Sequence, residues 1–221
     1  MTAVGRLPAL SDLPADPLPN VLRFETTPPD DARPILMERV HSVYPHEQIY
    51  GPFCPVQDYI AAPPRAVFEY LADPRSLEEW TYSLRGFTET EEPGLWVALD
   101  LVGSDDTKIF TRAVAHPDAM TVDYHCAWDQ SEHLWMIYLM RVVDAQVVLD
   151  KPGCVVTWSN CKHPFYDENP WPELAPEGRE LWVGDGWELF PAGHALELRN
   201  LKTICEYRAA HGISIKPDWM K

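Results

Sequence analysis

The hydrophobic rhythm of the chain changes twice along its length. Between residues 56 and 160, short apolar runs alternate with turn signals. Val56 to Ile60, Leu84 to Glu89, Leu95 to Leu101, Lys108 to Ala115, Met120 to Trp128, His133 to Leu149 and Cys154 to Asn160 read as strands, with EEPG, GSDD, HPDA, DQSE and DKPG between the later ones. Six consecutive strands joined by short turns predict an antiparallel meander. In Met120 to Trp128 the alternation is regular: Met120, Val122, Tyr124, Cys126 and Trp128 point one way, Thr121, Asp123, His125, Ala127 and Asp129 the other. One face of the sheet is therefore apolar and the other wet. Further on, Leu198, Leu201, Ile204, Cys205 and Ala209 recur at helical spacing and predict one long helix over roughly 193–210, stopped by Gly212. Such a helix must find an apolar sheet to lie on.

Two stretches depart from these rhythms. Residues 1–55 hold ten of the 22 prolines and predict an extended arm, strapped across the domain by Leu22, Phe24, Ile35, Leu36 and Tyr44, because proline removes a backbone donor and restricts its predecessor. Residues 164–192 form a long irregular segment rich in proline, acid and tryptophan, too apolar at Trp171, Leu181, Trp182, Trp187, Leu189 and Phe190 for a free linker. It reads as a lid-like insertion in a domain spanning 56–221.

Between the first strand and the meander lies YIAAPPRAVFEYLADPRSLEEW, residues 59–80. Pro64 suits a first helical turn, Asp73-Pro74 is an N-cap followed by a favoured first residue, and Val67, Phe68 and Leu71 give the first helix one apolar face. Helices this short need a sheet to dock on. Ala62, Pro63, Val67, Phe68, Asp73, Pro74 and Trp80 resemble the opening of the START-like, SRPBCC helix-grip superfamily, and ALELRNLKTICEYRAA is similar to its closing helix. The resemblance covers about residues 56–212. It implies an α+β fold in which a curved antiparallel sheet of about seven strands wraps a long C-terminal helix, with two short helices after the first strand and an internal cavity. It specifies fold well and activity poorly.

Composition narrows the partners. The formal charge of −16, from 34 acidic against 18 basic residues, disfavours nucleic acid and anionic membranes. No apolar run reaches the ~20 residues that span a bilayer, so the expectation is a soluble, cytoplasmic protein. Five widely spaced cysteines without a CxxC pair suggest reduced core thiols. A hydrophobic small molecule is the expected partner, and a second copy of the chain, as a homodimer, is the macromolecular partner left to consider.

Nine tryptophans and nine tyrosines suit a cavity for a planar, partly apolar ligand, although any one of them also serves as core. Trp80, Phe110, Trp128, Trp135, Trp158, Leu198 and Leu201 are the expected ligand-binding set. Aromatase/cyclases of the superfamily place a pocket arginine just before a strand-ending V-x-x-P, and Arg112 in KIFTRAVAHP occupies about that position. The resemblance thus implies a guanidinium that holds an enolate, with His125 or Tyr124 moving the proton. Arg141 is a further catalytic candidate, in the apolar run HLWMIYLMRVV on the side of Trp135, Ile137 and Leu139. His125, His133 and His163 fall on or beside successive strands and form a metal-ligand alternative, against which a simple hairpin register sets His125 on the far face. Serine-hydrolase, dinucleotide and phosphate-loop motifs are absent. The leading expectation is a cofactor-independent cyclase, aromatase or dehydratase acting on a hydrophobic polyketide-like substrate. A non-catalytic carrier and a histidine-based metal enzyme are the alternatives.

Overall fold

The computed structural model describes residues 21–43 and 52–220. Seven strands form a single antiparallel sheet: β1 (Phe53–Ile60), β2 (Leu84–Glu89), β3 (Trp96–Asp100), β4 (Lys108–His116), β5 (Thr121–Trp128), β6 (Met136–Asp144) and β7 (Cys154–Cys161). Their order is β1-β7-β6-β5-β4-β3-β2, so the last six strands are the expected meander and β1 closes its far edge on β7. The long helix α5 (Phe190–Ala210) packs along the sheet's inner face and against β1. The architecture is the helix-grip fold.

The two short helices form where their signals stand. In α2 (Pro64–Leu71), Pro64 occupies the first turn and Val67, Phe68, Tyr70 and Leu71 are buried. Asp73 then accepts a hydrogen bond from the Arg75 backbone N–H (3.1 Å), caps the 3-10 turn Pro74–Ser76, and leads into α3 (Leu77–Trp80). The buried Glu79 fastens this corner to the end of α5: Arg208 grips both of its carboxylate oxygens (2.7 and 2.9 Å) and the Tyr70 hydroxyl donates to it (2.5 Å). α5 ends at Gly212 with φ +66°, as its sequence predicts, and Ile213 N–H returns to the Arg208 carbonyl (2.9 Å).

Three expectations need correction. The run His133 to Leu149 is not one strand: residues 133–135 belong to a loop, and the Asp144 side chain accepts from Gln146 N–H (2.9 Å), capping a separate turn of helix, α4 (Ala145–Leu149). The β5–β6 register pairs Cys126 with Met136, so seven residues, 129–135, connect these strands in place of a tight DQSE turn. Finally, the N-terminal arm is not extended throughout. Residues 29–43 form α1 (Pro29–Val43), with Pro29 at its start and Asp30 and Asp31 complementing the positive end of the helix dipole.

The strapping of this segment to the domain is extensive. Asn200 on α5 exchanges hydrogen bonds with both backbone groups of Leu22 (3.2 and 2.9 Å), Phe24 N–H donates to the Tyr82 carbonyl (3.0 Å), and Glu25 meets the fully buried Arg85 in a two-point ion pair (2.6 and 3.0 Å). Leu36 reaches the cavity wall. Tyr44 lies outside the described residues.

Candidate active site

The inward residues of the sheet, one side of α5, α1 and the segment before α5 enclose a cavity of about 470 Å³. On the sheet, β5 contributes Tyr124, Cys126 and Trp128, β4 Ile109, β6 Met136 and Tyr138, and β7 Trp158, in line with the alternation read from the sequence. Leu77 and Trp80 of α3 form the floor, and Trp80 packs edge-on against Trp158 at 5.7 Å between centroids. The walls are mainly apolar and aromatic, a lining that suits a planar organic ligand.

Four of the expected residues line this space: Trp80, Tyr124, Trp128 and Trp158. The Tyr124 hydroxyl is committed to the Leu71 carbonyl, and burial holds its pKa well above the ordinary phenol value, so it is a fixed wall group. Leu198 and Leu201 are fully buried core residues of α5 outside the cavity lining. Trp135 sits behind the wall, donating to Gln130 (2.5 Å) and lying 6.0 Å from the Trp182 ring.

The charged candidates go elsewhere. Arg112 pairs with His125 across β4 and β5 on the face opposite Tyr124, and its guanidinium is bound to Glu92 near the surface. Phe110 shares that outer side, two residues before Arg112 on the strand. Arg141 is exposed, in register with Thr121 and Thr157. None of Arg112, Phe110, His125 and Arg141 lines the cavity. The strand period decides this: Tyr124 faces inward, so its odd-numbered neighbours face out.

The three histidines are likewise dispersed. His125 is on the outer face, His133 stacks on Trp171 in the loop region (4.1 Å), and the His163 Nδ1 accepts from Phe165 N–H (3.1 Å) beside Trp135. Among the described residues no three His, Cys, Asp or Glu side chains converge as metal ligands.

Two of the cavity's polar groups, His194 and Glu197, come from α5. His194 and Glu197 are three positions apart and so share one face of the helix, with about 5–6 Å expected between their Cβ atoms. Glu197 accepts a hydrogen bond from the Tyr82 backbone N–H (2.8 Å). Burial pushes its pKa up to about 7, with the nearby Asp100 adding to the rise and the Tyr82 N–H opposing it. Asp100, at the end of β3, is also raised by burial, but it accepts from Ser83 (2.6 Å), Val102 N–H (3.2 Å) and the Trp128 indole (3.1 Å).

His194 is the complementary group. Burial pushes its pKa down to about 3 and that of its neighbour Cys54 up to about 12, so the pair is a neutral imidazole and a thiol. Cys54 Sγ and His194 Nδ1 are 3.4 Å apart, a contact that the thiol donates in one imidazole tautomer and the ring N–H in the other. In the tautomer in which the thiol donates, the imidazole proton is on Nε2. The ring is held by stacking on Trp158 (4.1 Å) and by Tyr138 and Phe190 (5.6 and 5.4 Å). Strand alternation carries no information about His194 and Glu197, which stand on a helix. The signal lay in the helix: HALELRN places both among the buried Leu196, Leu198 and Leu201.

The remaining wall is the segment 181–189 with α1. Val183–Leu189 winds as 3-10 turns, and Gly184 packs so closely on the Tyr166 backbone that an added Cβ would overlap its carbonyl. Trp182 is fixed by donating to the Phe165 carbonyl (2.9 Å). From α1 come Pro29, Ala32, Arg33 and Leu36, and Arg33 donates to Glu188 of the other wall segment (3.0 Å).

Fold and cavity together are of the helix-grip type, a curved antiparallel sheet closed over a long helix with a cavity between them. No family model and no curated protein sequence matches the chain. Among solved structures it is similar to the protein XoxI from Bacillus cereus, with a TM-score of 0.50 and 14% identity over 70% of this chain and 96% of that one. A START superfamily protein from Mycobacterium smegmatis aligns with a TM-score of 0.44 and 12% identity over 73% and 99% of the two chains. DynU16, from the dynemicin biosynthetic locus, aligns with a TM-score of 0.44 and 12% identity over 76% of this chain and 51% of its own. At 14% identity the likeness to XoxI is one of fold. Among the described residues, no helix is long and apolar enough to cross a membrane.

Proposed function

We propose that the protein is a cofactor-independent enzyme that moves a proton next to a carbonyl group of a largely apolar substrate, the step that underlies aldol-type cyclisation and dehydration. The observation that carries this reading is the pairing, on one face of α5 inside an aromatic cavity, of a carboxyl poised near neutrality and a neutral imidazole donor. The substrate carbonyl oxygen accepts from His194 Nε2–H. The Glu197 carboxylate takes the proton from the adjacent carbon, the C–H electron pair moves into the new carbon–carbon double bond, and the carbonyl π pair moves onto oxygen. A neutral imidazole suits this task, because a charged one in the same apolar wall would carry an uncompensated charge. In a ring closure the enolate carbon then adds to a second carbonyl, and Glu197 returns its proton to the alkoxide so formed.

The role expected of Arg112 passes to His194, and that expected of His125 or Tyr124 passes to Glu197. The test is hydrogen–deuterium exchange at the α-carbon of 2-tetralone, a bicyclic ketone, followed by NMR. Wild type should accelerate exchange, and Glu197→Gln should lose at least about 100-fold of that acceleration, the usual scale of general-base catalysis. Binding of 2-tetralone with no acceleration by wild type would overturn the enzymatic reading and leave the carrier alternative.

A further inference from the structure

A second carboxyl of the cavity wall, Asp100, takes no part in the proton transfer just described, yet the chain anchors it next to Glu197. The anchor is the connection between α3 and β2. Tyr82 donates its backbone N–H to Glu197 (2.8 Å), and the following residue, Ser83, donates its hydroxyl to Asp100 (2.6 Å). The sheet register fixes this arrangement, because Leu84 lies across from Asp100 and Leu101 N–H returns to the Ser83 carbonyl (3.2 Å). A carboxyl from α5 and a carboxyl from the end of β3 are thereby held by consecutive residues, whose Cα atoms are about 3.8 Å apart. Both line the cavity.

Two carboxyls so held in a mainly apolar wall do not ionise at the same pH. Hydrogen bonds decide the order. Asp100 accepts from three donors, the Ser83 hydroxyl, Val102 N–H (3.2 Å) and the Trp128 indole (3.1 Å). Among the described residues, Glu197 accepts from Tyr82 N–H alone. Donors stabilise the charged form, so Asp100 carries the charge and Glu197 keeps its proton to higher pH. Burial raises both carboxyls; the three donors oppose it at Asp100, whereas the Asp100 charge adds to it at Glu197.

The other charged groups around the pair leave this split in place. Arg85, a fully buried cation on β2, favours the ionised form of both, but its guanidinium is bound to Glu25 (2.6 and 3.0 Å) and to the carbonyls of Thr81, Tyr82 and Leu84. His194, three positions before Glu197, is neutral, and burial keeps the Tyr138 phenol of β6 neutral. Asp30 of α1 and Asp185 of the segment before α5 add negative charge to the wall, and Arg33 is paired with Glu188.

We propose that Asp100 is a positioning residue of this site: a fixed negative charge that stands behind Glu197 through Tyr82 and Ser83, strengthens it as the base, and itself exchanges no proton. This deepens the proton-transfer reading and rests on it for the identity of the base.

The experiment is a carboxyl carbon-13 NMR titration of the full chain, beside the pH profile of 2-tetralone exchange. In wild type Asp100 should ionise first and Glu197 later, at about pH 7, with the Glu197 signal identified by its loss in Glu197→Gln. In Asp100→Asn, which keeps the shape and loses the charge, the Glu197 midpoint should fall by about one pH unit, a tenfold weaker base. The rising limb of the exchange profile should move down in pH with it, and the plateau rate should drop severalfold, since a weaker base removes a proton more slowly. A merely structural role would lower the rate and leave both midpoints in place. Wild type alone decides the matter if Asp100→Asn fails to fold: an Asp100 signal that ionises after Glu197 would overturn the proposal. A Glu197 midpoint unmoved by Asp100→Asn would overturn it as well. The NMR titration involves no ketone, so an Asp100-dependent Glu197 midpoint without any 2-tetralone exchange would sink the proton-transfer reading and spare the coupling of the two carboxyls. Normal exchange with an unmoved midpoint would do the reverse.

Discussion

Glu197 and His194 pull the pH dependence of stability in opposite directions. With its pKa raised from 4.5 to about 7, Glu197 binds its proton more tightly in the folded state, so its ionisation costs stability as pH rises through that interval. With its pKa lowered from 6.5 to about 3, His194 resists protonation when folded, so stability falls as pH drops through that interval. Between about pH 4.5 and 6.5 the two contributions oppose each other. Glu197→Gln removes only the first. The melting temperature of this variant, relative to wild type, should therefore climb from about pH 5 to about pH 8, with glutamine the more stable form at the upper end. A difference that stays flat over that range would mean that the carboxyl is not held protonated by the fold. Arg112 gives the opposite kind of result. It pairs with Glu92 where the two side chains are 36% and 52% exposed, and such pairs contribute about 0–1 kcal/mol. Arg112→Ala should leave both the melting temperature and the α-proton exchange of 2-tetralone close to wild type, and a large loss of exchange would return the guanidinium to the chemistry.

At the scale of elements, what the sequence made legible follows from what each signal measures. Strand alternation reports facing, and in β5 it placed Val122, Tyr124, Cys126 and Trp128 on the buried side. The same rule, applied outward from Tyr124, was enough to move Arg112 and His125 off the cavity, once the register joined them. The apolar run His133 to Leu149 defeated the rule because hydrophobicity does not report the cap at Asp144 that turns strand into helix. The histidine and glutamate of α5 were hidden for a different reason: a helical stripe identifies its buried face, whereas a cavity beneath that face is a tertiary property. The segment before α5 shows a third limit, since nothing local distinguishes Gly184 from any other loop glycine. In the fold it touches the Tyr166 backbone. Gly184→Ala should force Val183–Leu189 off the domain and destabilise the protein by about 1–3 kcal/mol, the usual cost of overpacking. Thermal unfolding and tryptophan emission check this, and an unchanged melting temperature would place the glycine in open space.

At the scale of the whole molecule, the part that resembles a known superfamily and the part that shapes the cavity differ. The sheet, the two short helices and α5 constitute the common frame, and the frame alone leaves the cavity open where α1 and residues 181–189 now close it. Both closing segments lie outside the recognisable stretches, which is why the sequence speaks more clearly about the fold than about the ligand. They also meet at a charged contact, Arg33 with Glu188, in which the side chains are 61% and 47% exposed. Dissolved salt screens such a pair over a Debye length of about 8–10 Å at physiological strength and about 3 Å at 1 M. Residence time, as distinct from affinity, is then partly set by the ionic medium. Stopped-flow dissociation of bound 2-tetralone should quicken between about 0.01 M and 1 M salt in wild type and lose that dependence in Arg33→Gln. A dissociation rate indifferent to salt in both proteins would mean that the ligand leaves by another edge of the cavity.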